Sequence, residues 1–158
     1  MIRLALALVL IAGQAQALSC LRPDVAESFN RANGIEEPVY ILRGVLEFDP
    51  GLMPQGVVNE ERNPDPVPAR FTGRGLTLDG FTARFERGVT LQPLCFGPWC
   101  GSAEPGQDAI VFATVRGEDL VVEVNPCGGQ IFYDPTEEMA DVLTACLRGE
   151  ACSPQPFQ

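Results

Sequence analysis

Six cysteines are the residues of this chain best suited to chemistry: Cys20, Cys95, Cys100, Cys127, Cys146 and Cys152. Thiols pair with each other, bind metal or act as nucleophiles, and spacing and neighbours decide which. Zinc sites favour tight cysteine pairs, usually two of them or one with histidine partners. Here one pair, Cys95 and Cys100, is closely spaced, and the chain has no histidine. That absence also removes Ser-His-Asp and Cys-His nucleophile systems and the usual near-neutral pH switch. Trp99-Cys100-Gly101 superficially resembles a redox site, but the resolving position is Ala103, so there is no closely spaced dithiol. An even number of cysteines suits three disulfides, and sequence alone leaves their connectivity open.

Carboxylates are the next candidates. Acid pairs stand at Glu36-Glu37, Glu60-Glu61 and Glu137-Glu138. The last suits the positive end of a helix, and the others read as solvated loop charges. Asn63-Pro64-Asp65 follows Glu60-Glu61, but no calcium-binding loop surrounds it. We therefore expect no catalytic residues, no metal and no cofactor, and read the chain as a non-enzyme. Eleven basic residues, all arginine, face 21 acids, for a net charge of −10. Such a field repels phosphate backbones and anionic membrane surfaces. A basic partner protein or a cation is compatible with that charge, as is plain solubility. The chain reads as a domain that binds a protein or a small ligand, and Phe96 and Trp99 are the candidate binding residues. Turned outward from a stapled loop, this pair is a rigid knob of the hot-spot type. Turned inward, it covers the mouth of a core.

The compartment follows from residues 1–17, which read as a signal peptide. Arg3 supplies the charge, and Leu4 to Ala12 is an apolar run too short to span a bilayer. Gly13 breaks it, and Ala15-Gln16-Ala17 fits cleavage after Ala17. Cleavage after Ser19, or lipid attachment at Cys20, are the competing possibilities. Export places the protein in the periplasm or outside the cell, where thiols oxidise. No membrane insertion is expected after cleavage, and residues 18–158 read as one domain, expected to be monomeric.

The elements that must position these residues are mostly strands. Pro23-Asp24 opens a short helix at about 23–32, with Pro23 as its first position and Val25, Phe29 and Ala32 on one face. Val39 to Phe48 is a strand with Tyr40, Leu42, Leu46 and Phe48 on one side, bent at Gly44. Asp49 to Pro66 is a proline-rich loop from which Leu52 and Met53 can dock back. A meander follows: Val67 towards Leu78, a turn at Asp79-Gly80, Phe81 to Phe85, a second turn at Arg87-Gly88, then Val89 to Cys95. Cys95 to Gly101 is a tight loop, and Ala109–Arg116 and Asp119–Val124 form a hairpin across Gly117-Glu118. Asp134 as cap, Pro135 as first position and Glu137 in a capping box predict a last helix that ends at Gly149. Its apolar face is Met139, Val142, Leu143 and Cys146. The tail from Ser153 to Gln158 reads as loose.

This order resembles the netrin-like module, the OB-type barrel of tissue inhibitors of metalloproteinases. The residues that carry the likeness are Ser19-Cys20 with Pro23 and the helix to Phe29, then Val39 to Val45. Cys100-Gly101, the hairpin ending at Cys127, and Cys146 after the last helix complete it. The chain also looks like small exported proteins of Gram-negative bacteria. The resemblance implies a mainly β fold: a small OB-like barrel with a short N-terminal and a C-terminal helix, stapled by disulfides. It further implies that Cys20 is tied to the middle of the barrel, at Cys127. Proximity then joins Cys95 to Cys100 and Cys146 to Cys152. By function it implies an exported binding domain or, as the alternative, an inhibitor of a secreted or periplasmic hydrolase working through its N-terminal segment. In those inhibitors the mature chain opens on cysteine, in a Cys-x-Cys pattern. Here Cys20 stands alone and would need cleavage after Ser19.

Overall fold

The computed structural model describes residues 19–54 and 64–154. The leader with its cleavage site, Glu60-Glu61 with Asn63, and the last four residues lie outside the described residues. The chain order is helix α1 (Val25–Asn33), β1 (Val39–Phe48), a 3-10 turn (Pro50–Leu52), β2 (Val67–Thr77) and β3 (Gly80–Pro93). There follow β4 (Cys95–Phe96), β5 (Trp99–Cys100), β6 (Asp108–Arg116), β7 (Asp119–Val124), β8 (Ile131–Tyr133) and helix α2 (Glu137–Leu147). The fold is mainly β with two helices.

Five strands close on themselves. β1 pairs with β2, β2 with β3, and β6 with both β7 and β1, all antiparallel, while β3 and β7 run parallel. β8 extends the sheet beside β6. The pleat explains how the sequence builds this. Ala109, Val111 and Ala113 of β6 turn into the barrel with Leu42, Leu46, Phe71, Leu91 and Val122. Ile110 and Phe112 point the other way, and with Ile41 and Phe132 they meet Val25 of α1 and Leu143 of α2. A strand buried on both faces reads as one continuous apolar run, as Ala109–Ala113 does. Three disulfides, Cys20–Cys127, Cys95–Cys100 and Cys146–Cys152, staple the whole and leave no free cysteine.

Several local expectations need correction. Pro23 lies before α1, because Asp24 is the cap and accepts from the amides of Ala26 and Glu27. Asp134 does not cap α2. It sits at φ 48° and donates its amide to Asp108, extending the β8–β6 ladder. Thr136 caps the helix instead, accepting from Met139. Glu137 then turns away to meet Arg43 Nη1 at 2.8 Å. At the other end Gly149 does close α2, with its own amide bonded to Cys146 and that of Glu150 to Ala145. Arg87-Gly88 is not a turn, since β3 runs straight through it with Arg70 opposite Gly88. Tyr40 is exposed and meets the ring of Phe85 at 5.9 Å, rather than joining Leu42 inside. Of the two docking residues in the long loop, Met53 is buried in the barrel core and Leu52 is exposed.

Candidate functional site

The Cys95–Cys100 loop is a two-stranded hairpin of its own, with Phe96 opposite Trp99 and Gly97 at φ 59° in the turn. One hydrogen bond hangs it on the barrel, and a second closes its base. The amide of Leu94 donates to Val124 at 2.9 Å, and that of Gly101 donates to Leu94 at 2.8 Å. Gly101 lies so close to the end of β7 that a Cβ there would stand 1.9 Å from the Val124 carbonyl oxygen. Only glycine fits that approach. The hairpin therefore has a covalent staple across its base and a hydrogen-bonded seat. Phe96 is 46% exposed, and Trp99 is half-buried.

Beyond β7 the chain turns at Asn125-Pro126-Cys127. Asn125 Oδ1 accepts from the Cys127 amide, and its Nδ2 donates to Gln130 Oε1 at 2.6 Å. Cys127 is bonded to Cys20, and a Cβ on Gly128 would reach Pro23 at 3.1 Å, so the N-terminal segment lies on this turn. The two candidate regions of the sequence are thus assembled at one end of the molecule. Between the base of the hairpin and the Asn125–Gly128 turn is a cleft of about 170 Å³, lined by Cys100, Ser102, Asn125, Pro126, Gly128 and Tyr133. Glu123 and Gln130 are shared with a neighbouring cleft of about 200 Å³ under α1, which Arg31, Ile35 and Phe112 help to line.

The chemistry of this end is sparse. Its cysteines are oxidised, and the carboxylate of Glu123 is hydrogen-bonded by Arg116. The Tyr133 oxygen accepts from the Glu104 amide at 2.7 Å. Burial pushes its pKa above the ordinary tyrosine value, and the nearby Glu104 charge adds to the shift. The neutral phenol is therefore the form the folded state favours. Its contribution is intact below the ordinary tyrosine pKa and is lost as pH rises through the raised folded value. A spectrophotometric titration should show one phenol ionising late, and that late transition should vanish in Tyr133→Phe.

Elsewhere, a wider cleft of about 570 Å³ lies between α2 and the tips of β2 and β3. In it Arg43 bridges Glu137 and Asp108 and donates to the Pro135 carbonyl. Glu36, Glu37 and Glu138 are exposed, as solvated charges. Among the described residues no group of three or more Cys, Asp or Glu is placed to hold a metal ion, and no helix is long and apolar enough to cross a membrane. Sequence reasoning missed Asn125, Gln130 and Tyr133. Asn125-Pro126 was the available signal, since asparagine before a turn bonds its own backbone two residues on. Comparison with known protein families, curated proteins and solved structures finds no match to this chain.

Proposed function

We propose that this chain is an exported, non-catalytic binding domain that takes a protein partner at the end of the barrel where the Cys95–Cys100 hairpin meets the N-terminal segment. The observation that carries the reading is Phe96. It is an exposed aromatic on a short hairpin whose backbone is stapled and hydrogen-bonded to the barrel. An aromatic side chain on a pre-ordered loop loses little entropy on binding, which is how hot spots gain affinity. The cyclic strand order β1–β2–β3–β7–β6 supports an OB-like reading of the barrel. Three disulfides and the leader-like residues 1–17 support export to the periplasm or beyond.

The test is recovery of a partner from periplasmic or secreted extract with the mature domain. Phe96→Ser should weaken retention at least about tenfold, as truncating a hot spot does. Its melting temperature should not change, since Phe96 supports no core. Leu78→Ser, in the turn between β2 and β3, is the control and should bind as wild type. Retention unaltered by Phe96→Ser and by Trp99→Ala would end the proposal. The inhibitor alternative gains one support, the exposed Cys20 beside this same cleft. It requires that the mature chain open on Cys20 rather than Leu18, which intact mass decides.

A further inference from the structure

β3 has 14 residues but pairs with β7 only over Thr90–Pro93. Among the described residues, no strand pairs with Gly80–Val89 on the side away from β2. α2 reaches the start of this stretch, where Thr144 lies near Gly80, and the Arg87 side chain donates to the Glu118 carbonyl at its end. Between those points, every residue from Thr82 to Gly88 except Phe85 is exposed. A barrel closed by one short parallel pairing thus leaves a strand edge open, with backbone donors and acceptors facing outward.

The charge around this edge runs against the rest of the molecule. The chain carries −10 overall, yet Arg70, Arg74, Arg84 and Arg87 are concentrated on β2 and β3. Arg74 stands directly opposite Arg84 across the hairpin, an arrangement that costs stability in a sheet. Glu86 is held by Arg70 at 2.6 Å and Arg84 at 3.4 Å, while Arg74 donates to the Thr82 carbonyl at 3.1 Å and lines the α2 cleft with Asp79 and Asp141. The side chain of Arg84 is 87% exposed and that of Arg70 63%.

We infer that the β3 edge at Thr82–Gly88 is a second binding site, which takes an extended acidic segment of a partner protein as an added strand. Main-chain hydrogen bonds to β3 would supply affinity, and carboxylates beside Arg74 and Arg84 would set register and charge preference. Charge selects this occupant. A second copy of the chain paired on this edge would bring two sets of arginines together. A single-stranded nucleic acid would want aromatic rings to stack on, and the outer face here offers Arg70, Thr72, Arg74, Thr82, Arg84 and Glu86 instead. The site is independent of the aromatic hairpin, so either can fail alone.

The probe is a capped hexapeptide of alternating glutamate and threonine, titrated into the mature protein and followed by fluorescence anisotropy and by amide hydrogen exchange. It should bind, weaken with added salt, and slow exchange of amides within residues 82–88. The double variant Arg74→Gln/Arg84→Gln should bind about tenfold more weakly without a fall in melting temperature. A peptide of the same sequence with alternate backbone nitrogens methylated should lose a similar factor or more. Equal binding by the methylated peptide would leave only charge attraction and overturn strand addition. So would equal binding by a lysine–threonine peptide, or no binding at all. Protection, in the free protein, of those amides in this stretch that do not donate to β2, with or without a dimer in sedimentation, would show that the edge is already covered and would likewise overturn it.

Discussion

Replacing Cys20 and Cys127 together by alanine is expected to lower the unfolding free energy by about 4–5 kcal/mol, roughly twice the loss from removing either short bridge. The bond spans 107 positions, whereas Cys95–Cys100 spans 5 and Cys146–Cys152 spans 6. Cross-linking distant residues removes more freedom from the unfolded chain than cross-linking near ones. The native state adds a second reason. Ser19 to Asp24 forms no strand or helix of its own, and the bridge is what seats it on the Asn125–Gly128 turn. Without it, α1 is held by Val25, Phe29 and Ala32 against the core and by the Asn30 side chain, which donates to the Cys152 carbonyl. Denaturant titration of the three double-alanine variants, all free of unpaired thiols, gives the comparison. A loss no larger than that of the short bridges would mean that the N-terminal segment stays seated without its staple.

Much of this fold is legible in the sequence because its elements depend on short-range rules. Ala109–Ala113 reads as a strand because all five residues are apolar, and they are buried on two faces. Val25, Phe29 and Ala32 fall on one helical face and pack as that spacing requires. Gly117 in a two-residue loop gives the hairpin of β6 and β7. The failures have a common cause. Gly88 looks like a turn residue, but its register opposite Arg70 is fixed by Val89 and Leu91 turning into the barrel. Asp134 looks like a cap, but β8 needs its amide for the ladder with β6. In both places long-range sheet pairing overrides a local preference. The site is legible only in part for the same reason. Phe96 and Trp99 announce themselves, while Asn125, Gln130 and Tyr133 become neighbours only when β7 and β8 are folded beside the hairpin. The open edge of β3 is hidden in the sequence altogether, because it depends on where the pairing with β7 begins.

Two backbones of the barrel come very close at the crossing of β1 and β2, and the second large effect is expected there. β1 is shared: it pairs with β6 over Val39–Val45 and with β2 over Leu42–Phe48. Gly44 stands opposite Gly73 where the two ladders overlap. A Cβ on Gly44 would lie 2.2 Å from the Thr72 carbonyl oxygen and 2.6 Å from Gly73 Cα. One on Gly73 would lie 2.2 Å from the Arg43 carbonyl oxygen. The obstacles are backbone atoms of a paired strand, so no side-chain rotation relieves them. Gly44→Ala must therefore push β1 and β2 apart, breaking their hydrogen bonds and the packing of Leu42 and Leu46 beside them. A loss of about 3 kcal/mol or more is expected, at the upper end of what overpacking costs. Gly88→Ala is the matched control in the same sheet. Its nearest obstacle is the Ala69 oxygen at 3.9 Å, and its backbone is one that alanine adopts freely. It should change stability by no more than about 0.5 kcal/mol in either direction. If the two variants unfold at the same denaturant concentration, the crossing is looser than its geometry implies. Neither glycine would then be needed for the bend that lets β1 pass from β6 to β2. If Gly44→Ala alone fails, the closure of the barrel rests on two residues without side chains, and the seat of the aromatic hairpin on β7 depends on them in turn.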